Sequence, residues 1–136
     1  MPKGMLFLID WDVACAESRA DGLRELGFRV EVESNNGGRA FRRVRTSVPD
    51  VIVVDLRKKA SHGREVARAL RDLRTTREVP MVFLEREDQR DQTRARVADA
   101  QFATEETLER ALDEAIAQRA ARGAGPSSGR IRSAAE

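Results

Sequence analysis

The sequence predicts a single α/β domain in which helices cover both faces of a five-stranded parallel sheet, the doubly wound arrangement. Two observations lead to this prediction. Apolar runs alternate along the chain with segments of helical spacing, and most of these runs are continuously apolar. Strands buried on both faces have such runs, because helices cover a parallel sheet on each side. A length of 136 residues fits one domain.

Five short apolar segments are predicted to be the strands. Only the second alternates apolar with polar residues, and the fifth is weak. In chain order they are Met5 to Ile9, Phe28 to Val32, Val51 to Val54, Met81 to Leu84 and Ala100 to Ala103.

The first three helices are bounded by residues that commonly start or stop helices. Helix one is predicted from about Val13 to Leu26, where Gly27 supplies the left-handed residue that ends it. Helix two begins near Asn36-Gly37-Gly38. Helix three spans roughly Gly63 to Leu73.

The last two helices differ sharply in their signals. Helix five has Thr104 as its predicted N-cap and Glu105 in its first turn, where a carboxylate complements the helix dipole. Between Arg86 and Arg96 there is no large apolar residue. We therefore expect helix four to be short and loosely held, as mobile switching elements often are, although a solvent-facing loop fits the composition equally well.

The C-terminal stretch is predicted to be a basic tail. The formal net charge of the chain is +2, and four arginines near the C-terminus carry it, so the remainder is close to neutral. The run Gly123 to Gly129 is too poor in apolar residues to offset the entropy of ordering. We therefore divide the chain into a domain at 1–120 and a disordered tail at 121–136.

Composition also limits the cellular setting. No apolar stretch approaches the length of a membrane span. Met1 to Gly4 lead into a short apolar run without the longer apolar region of a secretory signal. Cys15 has no cysteine to pair with, and we expect it to be a small buried helix residue. These features predict a cytoplasmic protein.

Three carboxylates stand where predicted strands give way to loops. Asp10 and Asp12 follow the first apolar run, and Asp55 follows the third. Ligands of open α/β sheets bind at the carboxyl ends of the strands. If the first and third strands are neighbours, the acids converge. Such a cluster recruits a divalent cation, has a raised pKa or is spread apart.

The chain from Met5 to about Gln118 resembles the receiver domain of bacterial response regulators, the CheY-like fold. Leu6 to Asp12 is similar to the acidic end of the family's first strand, and Pro49 to Leu56 is similar to the run into its phosphoacceptor. Leu23 to Val30 matches the junction from helix one to strand two, and Gly63 lies at the family's spacing beyond Asp55. The resemblance implies the strand order 2-1-3-4-5, which places strands one and three side by side.

Several site residues are implied by the resemblance. Asp55 matches the aspartate that accepts a phosphoryl group from a histidine kinase, with a magnesium ion neutralising the charge of the transferring group. The implied magnesium ligands are Asp10, Asp55 and the backbone carbonyl of Arg57, with Asp12 as a substitute acid. We expect magnesium to bind weakly or not at all, because Trp11 occupies the position of the family's second consecutive acid.

Two further positions depart from the family. Glu85 replaces the hydroxyl residue expected after strand four, which puts a negative charge where a donor to the phosphoryl group is needed. Thr104 stands where the family has a lysine at the end of strand five. The basic loop Arg57-Lys58-Lys59 offers a cation that could partner the acids in place of a metal. Trp11 either caps the sheet, fills the metal pocket or anchors a partner.

Taken together, the residues predict a stand-alone receiver-fold protein of bacterial phosphorelay signalling. We expect it to dock to a protein, a histidine kinase or a downstream partner, with phosphorylation at Asp55 weakened or lost, and to have no enzymatic activity on a metabolite. One alternative is a competent phosphoacceptor. The other is a basic adaptor that contacts nucleic acid through the arginines of helices two and three or through the tail. We do not favour the adaptor, because helical arginines most often form a solvated face.

Overall fold

The computed structural model describes residues 3–123, in which strands and helices alternate as predicted. A 3-10 turn at Glu87–Gln89 precedes the fourth helix. The elements are β1 (Gly4–Asp10), α1 (Val13–Glu25), β2 (Phe28–Glu33), α2 (Gly37–Thr46), β3 (Val51–Asp55), α3 (Ala60–Asp72), β4 (Met81–Leu84), α4 (Arg90–Arg96), β5 (Gln101–Ala103) and α5 (Leu108–Gly123).

The five strands form one parallel sheet in the order β2-β1-β3-β4-β5. This confirms the predicted fold class and strand order. β1 and β3 are neighbours, and their register pairs Leu6 with Val51 and continues to Asp10 with Asp55. The sheet therefore delivers two carboxylates to adjacent positions at its carboxyl edge.

Successive residues of each strand enter two different apolar cores. In β1, Leu6 and Leu8 pack with α1 and α5, whereas Phe7 and Ile9 pack with α2 and α3. Because side chains alternate between the faces of a strand and both faces are covered, every position must be apolar. This is why the central strands have continuous apolar sequences and why both of their acids lie at the very ends.

The early helix boundaries follow the predicted signals closely. The Asn36 side chain accepts a hydrogen bond from the Arg39 backbone at 2.9 Å and caps α2. Gly27 has a φ of +109°, in the region that favours glycine. α3 begins at Ala60, three residues before the predicted Gly63, after Lys59 adopts a left-handed φ of 47°.

The start of α5 was predicted wrongly. Thr104 does not cap α5, which begins at Leu108. Thr104 and Thr107 instead exchange side-chain to backbone hydrogen bonds, at 2.9 Å from the Thr104 amide and 3.3 Å from the Thr107 amide. The reciprocal pair closes a separate turn over residues 105–107 before the helix, so the local capping signal was real but belonged to that turn.

α4 is short, as predicted, with seven residues. Polar contacts attach α4 to the rest of the fold, and the pattern of apolar residues in the sequence did not indicate them. Thr93 is fully buried and hydrogen-bonded to side chains of α3 and of the residue after β4. Val97, at the end of the helix, is also fully buried. Two anchors thus hold a helix that has little apolar surface of its own.

The C-terminal helix α5 ends at Gly123, close to the tail start predicted at about Ala121. Residues 124–136, to which the remainder of the tail prediction applies, lie outside the described residues. Among residues 3–123, no helix is both long and apolar enough to cross a membrane.

Candidate functional site

The carboxyl edge of the sheet brings Asp10 and Asp55 together in a buried position. They are register partners on β1 and β3, and their exposed fractions are 2% and 3%. Both therefore lose most of their hydration in the fold, while their like charges repel. The sequence-based prediction that strands one and three unite these acids is confirmed. The surrounding side chains decide how the charge is compensated.

Arg57 binds the Asp55 carboxylate from the loop directly after β3. Its Nε lies 3.0 Å from Oδ1, and its Nη2 lies 2.6 Å from Oδ2. The Arg57 backbone N–H also donates to Oδ1 at 2.9 Å. This is the bidentate fork that makes arginine–carboxylate pairs strong. The family resemblance implied a role for the Arg57 backbone carbonyl, whereas the contact with Asp55 comes from the Arg57 side chain and backbone N–H. This agrees with the expectation that a cation of the loop Arg57-Lys58-Lys59 could partner the acids in place of a metal.

Arg19, which the sequence analysis missed, is a second cation at the site. It projects from α1, and its Nη2 lies 3.4 Å from Asp55 Oδ2 and 3.0 Å from Glu105 Oε1. Its Nε is 3.8 Å from Asp10 Oδ2, an ion-pair distance too long for a hydrogen bond. Glu105 also contacts Arg57, at 3.4 Å. Arg19 and Glu105 thus extend the charge network to the loop before α5.

Asp12 takes a local role instead of facing Asp55. Its Oδ1 accepts a hydrogen bond from the Cys15 backbone at 3.3 Å, and so caps α1. Its Oδ2 pairs with Lys58 at 3.1 Å. The one-residue offset from Asp10 therefore directs this acid to the helix N-terminus. Cys15 is exposed, contrary to the expectation that it is buried.

The surroundings shift the pKa values of these groups in different directions. Burial raises the pKa of Asp10, and the nearby Asp55 carboxylate adds to the effect, while the Asp12 N–H and Arg19 oppose it. The hydrogen bond with Lys58 is the main reason that the pKa of Asp12 is lowered. Arg19 likewise lowers the pKa of Glu105. Hydrogen bonding to Asp55 raises the pKa of Arg57, which keeps it cationic.

A cavity of about 550 Å³ opens at this edge, and its charged lining is nearly balanced. Four of the lining residues are acidic and three are basic. The complete lining is Asp10, Asp12, Ala14, Cys15, Ser18, Arg19, Asp55, Arg57, Lys58 and Glu105. The arginines and the lysine therefore supply most of the countercharge that a divalent cation would otherwise provide.

The residues present do not fit a magnesium ion of the kind that the family resemblance implies. Magnesium requires several oxygen ligands in near-octahedral geometry. Both oxygens of Asp55 accept hydrogen bonds from Arg57, and Asp12 is committed to α1 and Lys58. Within residues 3–123, no group of three or more acidic, histidine or cysteine side chains is arranged to hold a metal ion.

Trp11 lies away from the cavity, among the helices on the other side. It packs against the core formed with α2 and α3, and its ring meets His62 edge-on at 6.4 Å between centroids. A Cβ added at Gly63 would lie 3.6 Å from Trp11 Nε1. Of the three roles considered for Trp11, packing over the end of the sheet agrees with this position, and filling the metal pocket does not.

Glu85 joins a buried polar network that faces α3 and α4. Its carboxylate forms an ion pair with the Arg64 guanidinium and accepts a hydrogen bond from the Thr93 hydroxyl at 2.5 Å. Arg64 Nε also donates to Thr93 Oγ1 at 2.9 Å. Glu85 is not among the residues that line the acidic cavity. Its charge is therefore neutralised on the α4 side, which the sequence alone did not indicate.

Only weak sequence signals could have found the missed residues. Arg19 lies seven residues after Asp12, about two helical turns, which places it on the same side of α1. Arg64 and Thr93 are 29 residues apart and gave no signal. The arginines of helices two and three do not all form the predicted solvated face. Arg43 and Arg71 donate hydrogen bonds to backbone carbonyls of neighbouring segments.

Comparison with known proteins gives a clear answer at the level of structure. No protein-family model and no curated protein matches the sequence. Chemotaxis protein CheY4 of Vibrio cholerae superposes with a TM-score of 0.70 over 82% of this chain and 97% of that chain, at 20% identity. The signal receiver domain of a histidine kinase from Syntrophus aciditrophicus gives 0.68 over 94% and 98%, at 23% identity.

The chain has the receiver fold. A sensor protein from Polaromonas sp. JS666 gives a TM-score of 0.73 over 87% of this chain and 99% of that chain, at 19% identity. Identities this low establish the likeness of the fold alone. Asp55 lies at the end of the central strand of this receiver fold, next to Asp10 on β1.

Proposed function

We propose that this receiver-fold chain is a response-regulator protein of bacterial phosphorelay signalling, which acts by docking to a partner protein with phosphorylation at Asp55 weak or absent. The fold of its structural neighbours supports the signalling class, and the site of this chain supports the weakened phosphorylation. The partner is a histidine kinase or a downstream signalling protein. We propose no enzymatic turnover of a metabolite.

The bidentate contact between Arg57 and Asp55 is the observation that carries this proposal. Transfer of a phosphoryl group requires a carboxylate oxygen that can attack phosphorus in line and a cation that neutralises the transferring group. Here both Asp55 oxygens accept hydrogen bonds from Arg57, which lowers their nucleophilicity and covers their approach. Arg19 adds a further contact at 3.4 Å from Oδ2.

The residues that would respond to a phosphoryl group are also engaged elsewhere. Glu85 occupies the position after the fourth strand where the family has a hydroxyl residue, and its carboxylate is paired with Arg64. At the end of the fifth strand, Thr104 is paired with Thr107. A switch needs two states that differ in their contacts with the bound group. Since these side chains contact partners within the fold, we propose that partner binding is largely constitutive.

The face built from α4, β5 and α5 is the proposed docking surface, as the family resemblance implies. On it, the guanidinium groups of Arg90 and Arg94 lie over the Phe102 ring at 5.0 and 4.8 Å. Stacked arginines and an aromatic ring are common at the centres of protein interfaces. The Glu85 network fixes the position of α4 beside this ring. The surface would thus be held in one arrangement without phosphorylation.

A small-molecule phosphodonor tests the proposal directly. The purified chain is incubated with acetyl phosphate and magnesium, and its intact mass is followed over time. A phosphorylatable receiver measured in parallel confirms that the donor is active, and Asp55→Asn identifies the modified residue. We expect little or no mass increase on the wild-type chain. Rapid stoichiometric labelling that disappears in Asp55→Asn would refute weakened phosphorylation.

A competent phosphoacceptor is the second candidate, and one observation favours it. The Arg57 side chain is 43% exposed, so it can leave Asp55 without disturbing the core. With Arg57 withdrawn, Asp55 would be accessible to a phosphodonor and Asp10 would still lie beside it. The phosphodonor experiment separates the two candidates. Nucleic-acid binding receives less support, because Arg43, Arg64 and Arg71 are engaged within the fold.

A further inference from the structure

One oxygen of the acidic site is buried without a hydrogen bond. Asp10 is 2% exposed and lines the cavity, and within residues 3–123 its Oδ2 has no hydrogen-bond partner. The nearest cationic atom, Arg19 Nε, is 3.8 Å away and is itself unpartnered. Burial of an unsatisfied carboxylate oxygen is costly. This oxygen is available to a ligand that carries positive charge.

The Asp55 oxygens beside it are already taken by a cation of the chain itself. Arg57 is attached two residues beyond Asp55 and forks onto both oxygens. A tethered group of this kind is present at a high effective concentration, so it competes strongly with a free ion. The neighbouring Lys58 does not take part, since its ammonium group pairs with Asp12.

We infer that Arg57 is a built-in competitor of divalent cations, whose removal would create a cation site between Asp10 and Asp55. This inference rests on the proposed function, because it explains why phosphorylation would be weak. Truncating Arg57 removes its guanidinium from both Asp55 oxygens, which keep the backbone N–H contact to Oδ1 and the Arg19 contact to Oδ2. The Asp55 oxygens can then act together with Asp10 Oδ2 as ligands. Oxygens of this type are the preferred ligands of hard divalent cations.

The other positive charges near the site limit the increase in cation affinity that Arg57→Ala would produce, but they do not cancel it. Arg19 stays near both acids, and its side chain is only 11% exposed, so it is less free to move than Arg57. Removal of a full positive charge within about 4 Å of the ligand oxygens removes a close repulsion of the divalent ion. Screening and protein relaxation reduce this effect, and we expect an affinity increase of roughly tenfold or more.

Manganese titration provides a readout that does not depend on phosphorylation. Mn²⁺ binding to wild type and Arg57→Ala is measured by electron paramagnetic resonance, which counts free Mn²⁺. Line broadening in ¹H–¹⁵N spectra locates the ion. We expect one site in Arg57→Ala, with broadening centred on the amides of Asp10 and Asp55. The triple variant Arg57→Ala, Asp10→Asn, Asp55→Asn should lose that site.

Lys58→Ala is the matched control, because it removes the same charge from the next residue and leaves the Arg57 fork intact. It should change Mn²⁺ affinity much less than Arg57→Ala does. Arg86→Ala, in an exposed loop, should leave affinity unchanged. Thermal unfolding of each variant confirms that it is folded at the titration temperature.

Two outcomes would overturn the inference. They are Arg57→Ala gaining no Mn²⁺ affinity over wild type, and Lys58→Ala gaining as much affinity as Arg57→Ala. The last would mean that only net charge matters. Failure of the proposed function is a different result, namely rapid labelling of the wild-type chain by acetyl phosphate. If acetyl phosphate does not label the wild-type chain and Arg57→Ala binds no Mn²⁺, the role of Arg57 as a competitor is refuted while the proposed function stands.

Discussion

Asp10 and Asp55 lie side by side as register partners on two adjacent parallel strands, yet the negative charges of their carboxylates are compensated unequally. Asp55 accepts the Arg57 fork, whereas Asp10 has one oxygen bound to the Asp12 amide at 3.0 Å. The other Asp10 oxygen has no hydrogen-bond partner among the residues that the structure describes. The site is therefore a buried pair of like charges in which one member is poorly stabilised. The first prediction follows from this asymmetry.

Asp10→Asn should stabilise the fold at neutral pH by about 1 kcal/mol, because it removes a buried charge and retains an oxygen for the Asp12 N–H. Burial raises the pKa of Asp10, so its ionised form disfavours folding at pH values above the folded-state pKa. As the pH falls through that pKa toward the unfolded value, protonation removes the penalty. The gain from Asp10→Asn should then disappear.

Urea unfolding of both proteins at pH 7 and near pH 4 measures this difference. Asp72→Asn, on the exposed end of α3, serves as the control and should change stability by less than about 0.5 kcal/mol. A neutral-pH loss of stability in Asp10→Asn, or a gain that does not depend on pH, would contradict the prediction.

Lys58→Ala should raise the pKa of Asp12 toward its ordinary value. The hydrogen bond from Lys58 is the largest cause of the lowered pKa. A lowered carboxylate pKa favours the fold above the unfolded pKa, and this contribution is lost as the pH falls through the folded pKa. Side-chain carboxyl NMR shifts, followed from pH 7 to pH 2, give the midpoint. Lys59→Ala, one residue further, should leave the Asp12 midpoint in place, and an equal shift in both variants would refute the specific pair.

Glu85→Ala should destabilise the protein by about 3–5 kcal/mol, because Arg64 would remain buried without its carboxylate. Thr93→Val should cost about 1–3 kcal/mol through the lost hydrogen bonds. The exposed Glu87→Ala in the same loop is the matched control. Chemical denaturation gives the free energies of unfolding, and a cost below about 1 kcal/mol for Glu85→Ala would show that the network is not structurally important.

Two glycines in helices should respond oppositely to alanine. A Cβ at Gly63 of α3 would lie 2.5 Å from Leu56 Cδ2 and 3.1 Å from Val54 Cγ1, both in the core. We expect Gly63→Ala to cost about 1–3 kcal/mol by overpacking. A Cβ added at Gly22 of α1 would meet no described atom within 4 Å apart from its chain neighbours and the adjacent backbone of its own helix. Gly22→Ala should therefore stabilise by about 0.5–1 kcal/mol. Thermal and urea unfolding test both, and the same sign of change in the two variants would contradict the packing argument.

Much of the fold could be predicted because its signals are local and periodic. The apolar runs located all five strands, and Gly27 and Asn36 marked real helix boundaries. The errors arose where one local signal fits two structures. Thr104 has the sequence of a helix N-cap but closes a turn with Thr107, and Cys15 lies on the exposed side of α1.

The sequence by itself determined the parallel sheet, its buried strands and the position of Asp10 and Asp55 at strand ends, since strand periodicity defines all three. The neighbouring positions of strands one and three, which bring the two acids together, were implied only by the resemblance to the receiver domain and are shown by the strand order of the structure. Only the tertiary structure decided how the acids are neutralised. Arg57, Arg19 and Arg64 have long, flexible side chains whose partners depend on which elements pack together. Glu85 shows the same effect, because the packing of α3 against α4 brings Arg64 and Thr93 to it from distant positions in the chain.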